Sequence, residues 1–373
     1  PLGWEERPDE APLHHAVGEG PGEGARNTMT RARLIELEDS FAEINESFYE
    51  RGWTDGLPIV PPTEAAVAAM LRAAGRDPEE VVGVLPPRQG EATVERVAIN
   101  AVMAGCLPEY LPVVIAAVEA VADPAFNLDG VQATTHPVAP LIVVNGPIAR
   151  RLAINSGYNC FGQGFRANAT IGRALRLVLM NVGGGIPGSG DRSTQGSPAK
   201  FSSCIAENED ANPWGPLHVE RGFPADASTV TVLGCEGPHN IQEHYSNTGL
   251  GILQTVAGAM GQAGSNNVLR HGFPMLSLGP EHAATVSTDG YTKAGIREYL
   301  FEHAVFPLDM LSPEYQEVLW DLNGVERGDP RGMARIVDRP EDLLIIVAGG
   351  AGKHSCWHPT FGGYTRPVTR AIN

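Results

Sequence analysis

The stretch FPMLSLGPEHAATVSTDGY, residues Phe273–Tyr291, holds the pattern that decides the fold. Its apolar run predicts a short buried strand that stops at Gly279-Pro280, and the residues after this pair predict a helix, because proline is favoured in the first helical turn. The earlier stretch PLIVVNGPIARRLAINSGY, residues Pro140–Tyr158, has the same plan. Aligning the two Gly-Pro pairs also aligns, without a gap, the Gly-Tyr pair that closes each stretch.

Two looser versions of the pattern follow, in TVTVLGCEGPHN (Thr229–Asn240) and DLLIIVAGGAGKHS (Asp342–Ser355). We therefore predict an α/β fold with two pseudo-repeated lobes, each built from strand–Gly/Pro loop–helix units. Ligands of open α/β sheets bind outside the carboxyl ends of the strands. The functional site is accordingly predicted at the C-terminal edge of the strands.

The chain divides into four predicted regions. A Gly/Pro-rich and acidic opening segment predicts a flexible arm. A mostly helical region, a first α/β lobe and a second α/β lobe then follow. In chain order the regions cover residues 1–28, 29–126, 127–225 and 226–373.

One apolar stripe predicts a helix over residues 31–51, placed in the core or in a subunit contact. Its residues are spaced 3, 4, 3 and 4 apart, which is the spacing of one helix face. They are Leu34, Leu37, Phe41, Ile44 and Phe48.

Composition excludes several classes of protein. The 373 residues carry a formal net charge of −17, which repels nucleic acid and anionic membrane surfaces. No apolar run reaches the roughly 18 residues that a spanning helix needs. The cysteines number five, an odd count at wide spacing, and this does not suit a disulfide framework. We predict a cytoplasmic protein that binds neither nucleic acid nor membrane.

Three histidines lie just past predicted strand ends, at His239, His282 and His354. Imidazole is a common metal ligand and a proton-transfer group near neutral pH. If the three converge, they bind a divalent metal such as zinc or move protons, and Glu281 assists. Their spacing matches no recognised metal motif, and each histidine alone is more typical of a structural cap or loop residue.

The loop GGAGKHS, Gly349–Ser355, predicts an anion site formed by backbone N–H groups and Lys353. It is not a P-loop, because Val347 occupies the position of the first glycine and His354 that of the serine or threonine that would hold magnesium. The glycine-rich segment GQGFRA also lacks the dinucleotide fingerprint. No nucleotide cofactor is expected.

Four further residues are predicted to bind substrate. Arg166 and Arg173 flank a predicted helix start, and arginine forks suit a carboxylate, although salt bridges are their commoner use. Asn266 and His136 lie in the turns that precede the two predicted strands.

Two cysteines support a rival, thiol-based mechanism. Cys106 lies in the bend before a predicted helix, where a thiolate is favoured, and Cys356 lies between His354 and His358, which predicts a lowered pKa of the thiol. The alternative for each is an inert buried thiol.

Several long motifs resemble an uncharacterised bacterial family over about Phe48 to Arg370. They are TDGLPIVPPTE, NAVMAGCLPEYLPVVIAAVEA, QATTHPVAPLIVVNGP, NATIGRALRLVLMNVGG and LGPEHAATV. The resemblance implies association with small proteins that carry a U/C-G-S-C (UGSC) motif, similar to the selenocysteine subunit of glycine-reductase-type systems. It thereby implies a two-component enzyme, and it supplies no catalytic residues.

Three hypotheses follow. The first is an enzyme that acts on a small polar, carboxylate-bearing molecule by lyase or hydrolase chemistry at the histidines. The second is a thiol-dependent reductase or lyase that uses Cys106 or Cys356 together with a UGSC-type subunit. The third is a non-catalytic scaffold that docks through the helix at 31–51 and the proline loop 57–62. A homo-oligomer is expected.

Overall fold

The computed structural model describes residues 13–15, 32, 34–322 and 332–373. The strands there are β1 (Leu13–His15), β2 (Leu34–Glu36), β3 (Val81–Leu85), β4 (Gly90–Thr93), β5 (Ala139–Asn145), β6 (Cys204–Ala206), β7 (Thr229–Cys235), β8 (His239–Gln242), β9 (Met275–Leu278), β10 (Val305–Pro307), β11 (Met333–Arg335), β12 (Leu344–Val347), β13 (His354–His358) and β14 (Val368–Ala371).

The helices in the same residues alternate with these strands along much of the chain. They are α1 (Phe41–Glu50), α2 (Glu64–Ala74), α3 (Val94–Ala104), α4 (Leu111–Val121), α5 (Leu128–Ala133), α6 (Pro147–Arg151), α7 (Arg166–Asn181), α8 (Leu217–Glu220), α9 (Gly249–Met260), α10 (Asn266–Arg270), α11 (Pro280–Thr288), α12 (Lys293–His303) and α13 (Pro313–Leu322). The predicted α/β fold is confirmed.

Two four-stranded sheets form the centre of the molecule, in the orders β14-β7-β5-β6 and β12-β9-β13-β8. In the first sheet β6 is parallel to β5, while β7 is antiparallel to β5 and β14 to β7. In the second sheet β12 is parallel to β9, while β13 is antiparallel to β9 and β8 to β13. The two sheets therefore share one pairing pattern around the strands that precede the two Gly-Pro pairs. Duplication of a lobe stays a prediction.

The second sheet lies in the chain between two strands of the first sheet, β7 and β14. Strand β8 follows β7 directly in sequence but pairs in the second sheet, and β14 follows β13 but pairs in the first. The sheets consequently do not follow the predicted boundary at residue 225, because β7 and β14 both complete the sheet of β5. The predicted arm at 1–28 lies outside the described residues apart from 13–15.

Alternation of side chains along the strands creates four layers. Ile142 and Val144 of β5 pack with α2, α3, α4 and α7, whereas Leu141 and Val143 face the second sheet. The second sheet presents residues such as Met275 to the first sheet and packs its other face on α9, α11 and α12. The order of layers is helix, sheet, sheet, helix, and β5 is buried along its whole length because both of its faces are covered.

The predicted helix over 31–51 was wrong at its beginning. Residues 34–36 form β2, and α1 starts at Phe41 after Ser40, whose side chain accepts a hydrogen bond from the Glu43 N–H. This cap satisfies one of the free N–H groups of the first turn and fixes the helix start. Ile44 and Phe48 are buried as predicted, but the Phe41 side chain is 64% exposed. The predicted part before residue 34 lies outside the described residues, residue 32 apart.

Within the described part of the chain no single helix is long and apolar enough to cross a bilayer. The segments Pro108–Val121 and Pro124–Ala133, bent by 69° at their junction, reach that length and apolarity only as a pair.

Candidate functional site

A cavity of about 430 Å³ lies at the carboxyl ends of β9 and β12, beside β13. Its lining includes loop residues 159–162, Ser277 and Gly279 at the end of β9, the glycine-rich loop 348–352, and His354 and Cys356 of β13. The cavity lies at the C-terminal edge of strands, where the sequence predicted a functional site, and a functional role for it stays a prediction.

Strand β13 places a cysteine and two histidines on one face, because its side chains alternate between its two faces. Side chains two residues apart point to the same face of a strand, so His354, Cys356 and His358 share one face and Ser355 and Trp357 the other. Trp357 belongs to the core formed with the helices. The face of His354, Cys356 and His358 is therefore the face directed at the first sheet and the cavity.

His354, Cys356 and Asn240 form a group on this face. Asn240 of β8 is the cross-strand partner of Cys356, and its Oδ1 lies 2.9 Å from His354 Nδ1. An amide oxygen only accepts hydrogen bonds, so His354 donates through Nδ1–H. In the neutral ring Nε2 then carries the free lone pair and is the proton acceptor.

The Cys356 thiol is half-buried, and burial raises its pKa to about 11. The sequence-based expectation of a lowered pKa was wrong, because burial removes the hydration that would stabilise the thiolate. Cys160, on the loop across the cavity, has a pKa raised to about 11 by burial and by Cys356. Both thiols are therefore protonated at neutral pH.

The other cysteines lie in the core. Burial raises the pKa of Cys106 to about 12, and its Sγ lies 3.3 Å from the Thr170 carbonyl oxygen to which it donates. Burial raises the pKa of Cys204 and Cys235 as well. None of the three lines the cavity, so of the two predicted nucleophiles only Cys356 does.

A serine and a histidine lie beside Cys356. Ser277 of β9 is the other cross-strand partner of Cys356, and its Oγ lies 2.9 Å from His358 Nε2. The Phe161 ring packs on the His358 ring with 5.0 Å between their centroids. Burial lowers the pKa of His358 to about 3, so this imidazole is neutral.

The glycine-rich loop supplies unpaired backbone donors. The N–H groups of Gly350, Ala351 and Gly352 have no acceptor among the described residues, and Gly349 and Gly352 have φ of 114° and 136°. These N–H groups can bind an anion, because backbone donors in such turns form anion-binding concavities. Lys353 does not line the cavity, since its Nζ is 3.0 Å from Asn247 Oδ1 on another loop.

The three strand-end histidines predicted to converge occupy different positions. His282 Nε2–H donates to the Glu243 carbonyl oxygen, and its Nδ1 accepts from the Ser355 hydroxyl at 2.8 Å. His239 is exposed, with its ring edge towards Trp357. Only His354 lines the cavity. In the described ranges no three His, Cys, Asp or Glu side chains are placed to hold a metal, and a metal at one of these histidines stays a prediction.

The residues predicted to assist or to bind substrate lie outside the cavity lining. Arg173 forms an ion pair with Asp55 at 2.8 Å, and His136 Nε2 lies 2.9 Å from Glu236 Oε1. The others are placed in helices: Glu281 in the first turn of α11, Arg166 at the start of α7 and Asn266 at the start of α10.

Four residues were missed: Cys160 and Ser277 in the cavity lining, and Asn240 and His358, which contact the lining residues His354 and Ser277. The alternation in HSCWH was the available signal for His358, since it places this residue on the face of His354 and Cys356. No local signal exists for Ser277 or Asn240, because their proximity to Cys356 depends on which strands pair.

Comparison of the chain with models of protein families, with curated proteins and with solved structures finds no match. The function is therefore argued from the geometry of the cavity.

Proposed function

We propose that the protein is a thiol-dependent enzyme that acts on a small polar molecule in the cavity. Cys356 is the nucleophile, His354 is the general base and Asn240 orients the imidazole. The observation that carries the proposal is the 2.9 Å contact between His354 Nδ1 and Asn240 Oδ1, next to the cross-strand pair of Asn240 and Cys356. A nucleophile, a base and a group that orients the base are the parts that covalent catalysis needs.

The base is necessary because the resting thiol is protonated. With a pKa of about 11, roughly one thiol in ten thousand is ionised at pH 7. Nucleophilic attack therefore requires that the thiol proton leaves as the bond forms. The free lone pair of His354 Nε2 is the acceptor that the cavity offers for this proton.

The cavity favours a substrate with an anionic group. Its volume of about 430 Å³ lies in the range of small-molecule sites. The N–H groups of Gly350, Ala351 and Gly352 are available to a carboxylate oxygen, as argued above for the loop. We assign the carboxylate to this loop and the reacting carbon to the side of Cys356.

Alkylation with iodoacetamide, followed residue by residue with mass spectrometry, tests the proposal. In the folded protein Cys356 reacts before Cys106, Cys204 and Cys235. His354→Gln slows alkylation of Cys356 at pH 7.5 by about 10²-fold, the low end of what a general base contributes.

The matched control is His239→Gln, because His239 is exposed and lies on the opposite face of the sheet. This variant leaves the rate at Cys356 unchanged. Equal rates at Cys356 in the wild type and in His354→Gln contradict the proposal, as does a Cys356 that reacts no faster than the core cysteines.

The resemblance implies a second subunit that carries a thiol or selenol, and the thiol chemistry proposed for Cys356 does not require it. This partner, the homo-oligomer, the scaffold role and the divalent metal remain proposals. Copurification and elemental analysis of the untagged protein test them.

A further inference from the structure

Ser277 and His358 form a buried polar pair in the wall of the cavity. Ser277 is 2% exposed and His358 1%. The pair is joined by the 2.9 Å contact between Ser277 Oγ and His358 Nε2. His358 Nδ1 is buried and has no hydrogen-bond partner in the part of the chain that the structure describes. The reaction derived above does not use this pair.

The unpartnered Nδ1 indicates which way the hydrogen bond runs. If the Ser277 hydroxyl donated to Nε2, the neutral ring would carry its proton on Nδ1 and leave a buried N–H donor without an acceptor. If Nε2–H donates instead, Nδ1 is left with only a free lone pair. Buried orphan N–H groups are rarer than under-satisfied acceptors, so His358 donates to Ser277.

This direction leaves the Ser277 O–H without an acceptor among the described residues. Ser277 lines the cavity, and its strand pairs with β13 so that Ser277 lies opposite Cys356. Directly opposed residues in a sheet have Cβ atoms about 4.5–5.5 Å apart. Two side chains on one face with Cβ atoms this close allow the hydroxyl to reach an oxygen on the carbon that the sulfur attacks.

We propose that the Ser277 hydroxyl, held by His358, donates a hydrogen bond to the oxyanion that forms when Cys356 adds to a carbonyl group. This inference rests on the proposed function and narrows it to substrates with an acyl carbon, such as esters, thioesters and amides. A donor that is fixed before the reaction stabilises the developing charge without reorganisation.

The proposed reaction transfers the acyl group of the substrate to the Cys356 sulfur. The Cys356 sulfur forms a bond to the carbonyl carbon, its proton moves to His354 Nε2, and the carbonyl π electrons move to the oxygen that Ser277 contacts. Collapse of the tetrahedral adduct restores the C=O bond and expels the leaving group. The products are a thioester on Cys356 and the leaving group. A leaving group too basic to depart as an anion takes the proton from His354 Nε2.

Two probes separate this inference from the function on which it rests. Iodoacetamide alkylates Cys356 by displacement and forms no oxyanion, whereas p-nitrophenyl acetate acetylates it through a tetrahedral adduct. In Ser277→Ala we expect acetylation of Cys356 to fall by about 10²–10³, the loss typical of one oxyanion donor, and alkylation to be unchanged. Both reactions are measured on the full chain by mass spectrometry.

The matched control is Ser355→Ala. Ser355 also lines the cavity and makes a buried bond to a histidine, 2.8 Å from His282 Nδ1, but its side chain lies on the opposite face of β13 from Cys356. Acetylation of Cys356 stays at the wild-type rate in this control. Slow alkylation of Cys106, Cys204 and Cys235 in each sample shows that the variant is folded. The ratio of the acetylation rate to the alkylation rate at Cys356 can therefore be compared between variants that differ in stability.

Two results overturn the inference and are distinguishable. If Ser277→Ala leaves acetylation unchanged, or slows both reactions equally, Ser277 is not the oxyanion donor while Cys356 remains the nucleophile. If p-nitrophenyl acetate transfers its acetyl group to other residues and Cys356 also fails to react with iodoacetamide, the proposed function fails and this inference fails with it.

Discussion

His358 places an uncharged imidazole in the layer between the two sheets. Its pKa is lowered from 6.5 to about 3 because burial disfavours the charged form. In the unfolded chain the same group binds a proton near pH 6.5. Between these two values the unfolded state binds more protons than the folded state. The free energy of unfolding therefore decreases as pH falls through this window, and it is unaffected by His358 above it.

We expect urea denaturation to show that the free energy of unfolding decreases from pH 7 to pH 4. One such histidine contributes up to about 1.4 kcal/mol per pH unit. His358→Gln reduces the slope of unfolding free energy against pH, and part of the slope remains because burial also lowers the pKa of His282. The control His303→Gln replaces an exposed histidine and keeps the wild-type slope. Identical slopes in all three proteins would refute the argument.

At the residue scale the sequence selected Cys356 and His354, which both line the cavity, but it predicted the wrong direction for the pKa shift of the Cys356 thiol. Residue types and their spacing along one strand are visible in HSCWH. The pKa of a thiol depends on the solvent and on groups distant in sequence, and His358 proved to be a neutral buried group. The bond between His354 and Asn240 spans 114 residues, so no local pattern reveals it.

Among the elements, the junction of β9 and α11 is tightly packed against β13 beside the cavity. Gly279 has φ −65° and ψ 151°, which any residue can adopt. A Cβ atom at this position would lie 2.1 Å from the His354 carbonyl oxygen. The glycine is therefore required by the closeness of β13 and not by its own backbone conformation.

Gly279→Ala is expected to lower the free energy of unfolding by about 1–3 kcal/mol, the usual cost of overpacking, and to move β13 away from α11. Gly237→Ala is the control, because a Cβ there meets no atom within 4 Å. Chemical denaturation measures both. Equal stability of the two variants would show that β13 shifts without cost.

Strands and helices with a strong apolar pattern were predicted well, but the pairing of the strands with one another was not. Strands β5 and β9 and the helices after their Gly-Pro pairs lie where the repeated stretch predicts them. Helix α1 was placed too early because Leu34 and Leu37 continue its stripe, whereas the Ser40 cap starts the helix. Which strand pairs with β13 depends on long-range packing, which local periodicity does not encode.

In the whole molecule, the second sheet is inserted in the chain of the first. Its four strands all lie between β7 and β14, which are neighbours in the first sheet, and the facing sides of the two sheets share one buried core. Opening either sheet would expose this shared core, so we expect both sheets to open as one cooperative unit.

Hydrogen exchange measured by mass spectrometry tests this cooperativity. Val368→Ala in β14 removes part of a side chain that is 5% exposed, and we expect it to reduce protection by about 1–3 kcal/mol. We expect the free energy of opening, obtained from the exchange rates, to fall by the same amount in β5 and in β9, although Val368 pairs only in the first sheet. Val318→Ala, at a position 43% exposed, is the control. Loss of protection confined to the first sheet would show that the sheets open independently.

The insertion of the second sheet between β7 and β14 also sets the order of events on the ribosome. Strand β7 emerges well before β14, and its outer edge has no partner until residue 371 has left the exit tunnel. Until then the nascent chain exposes unpaired N–H and C=O groups on β7, and such edges recruit other extended segments. Synthesis through residue 371 is thus the step that seals the first sheet, and a chaperone bound to the nascent chain would protect β7 during the interval before it.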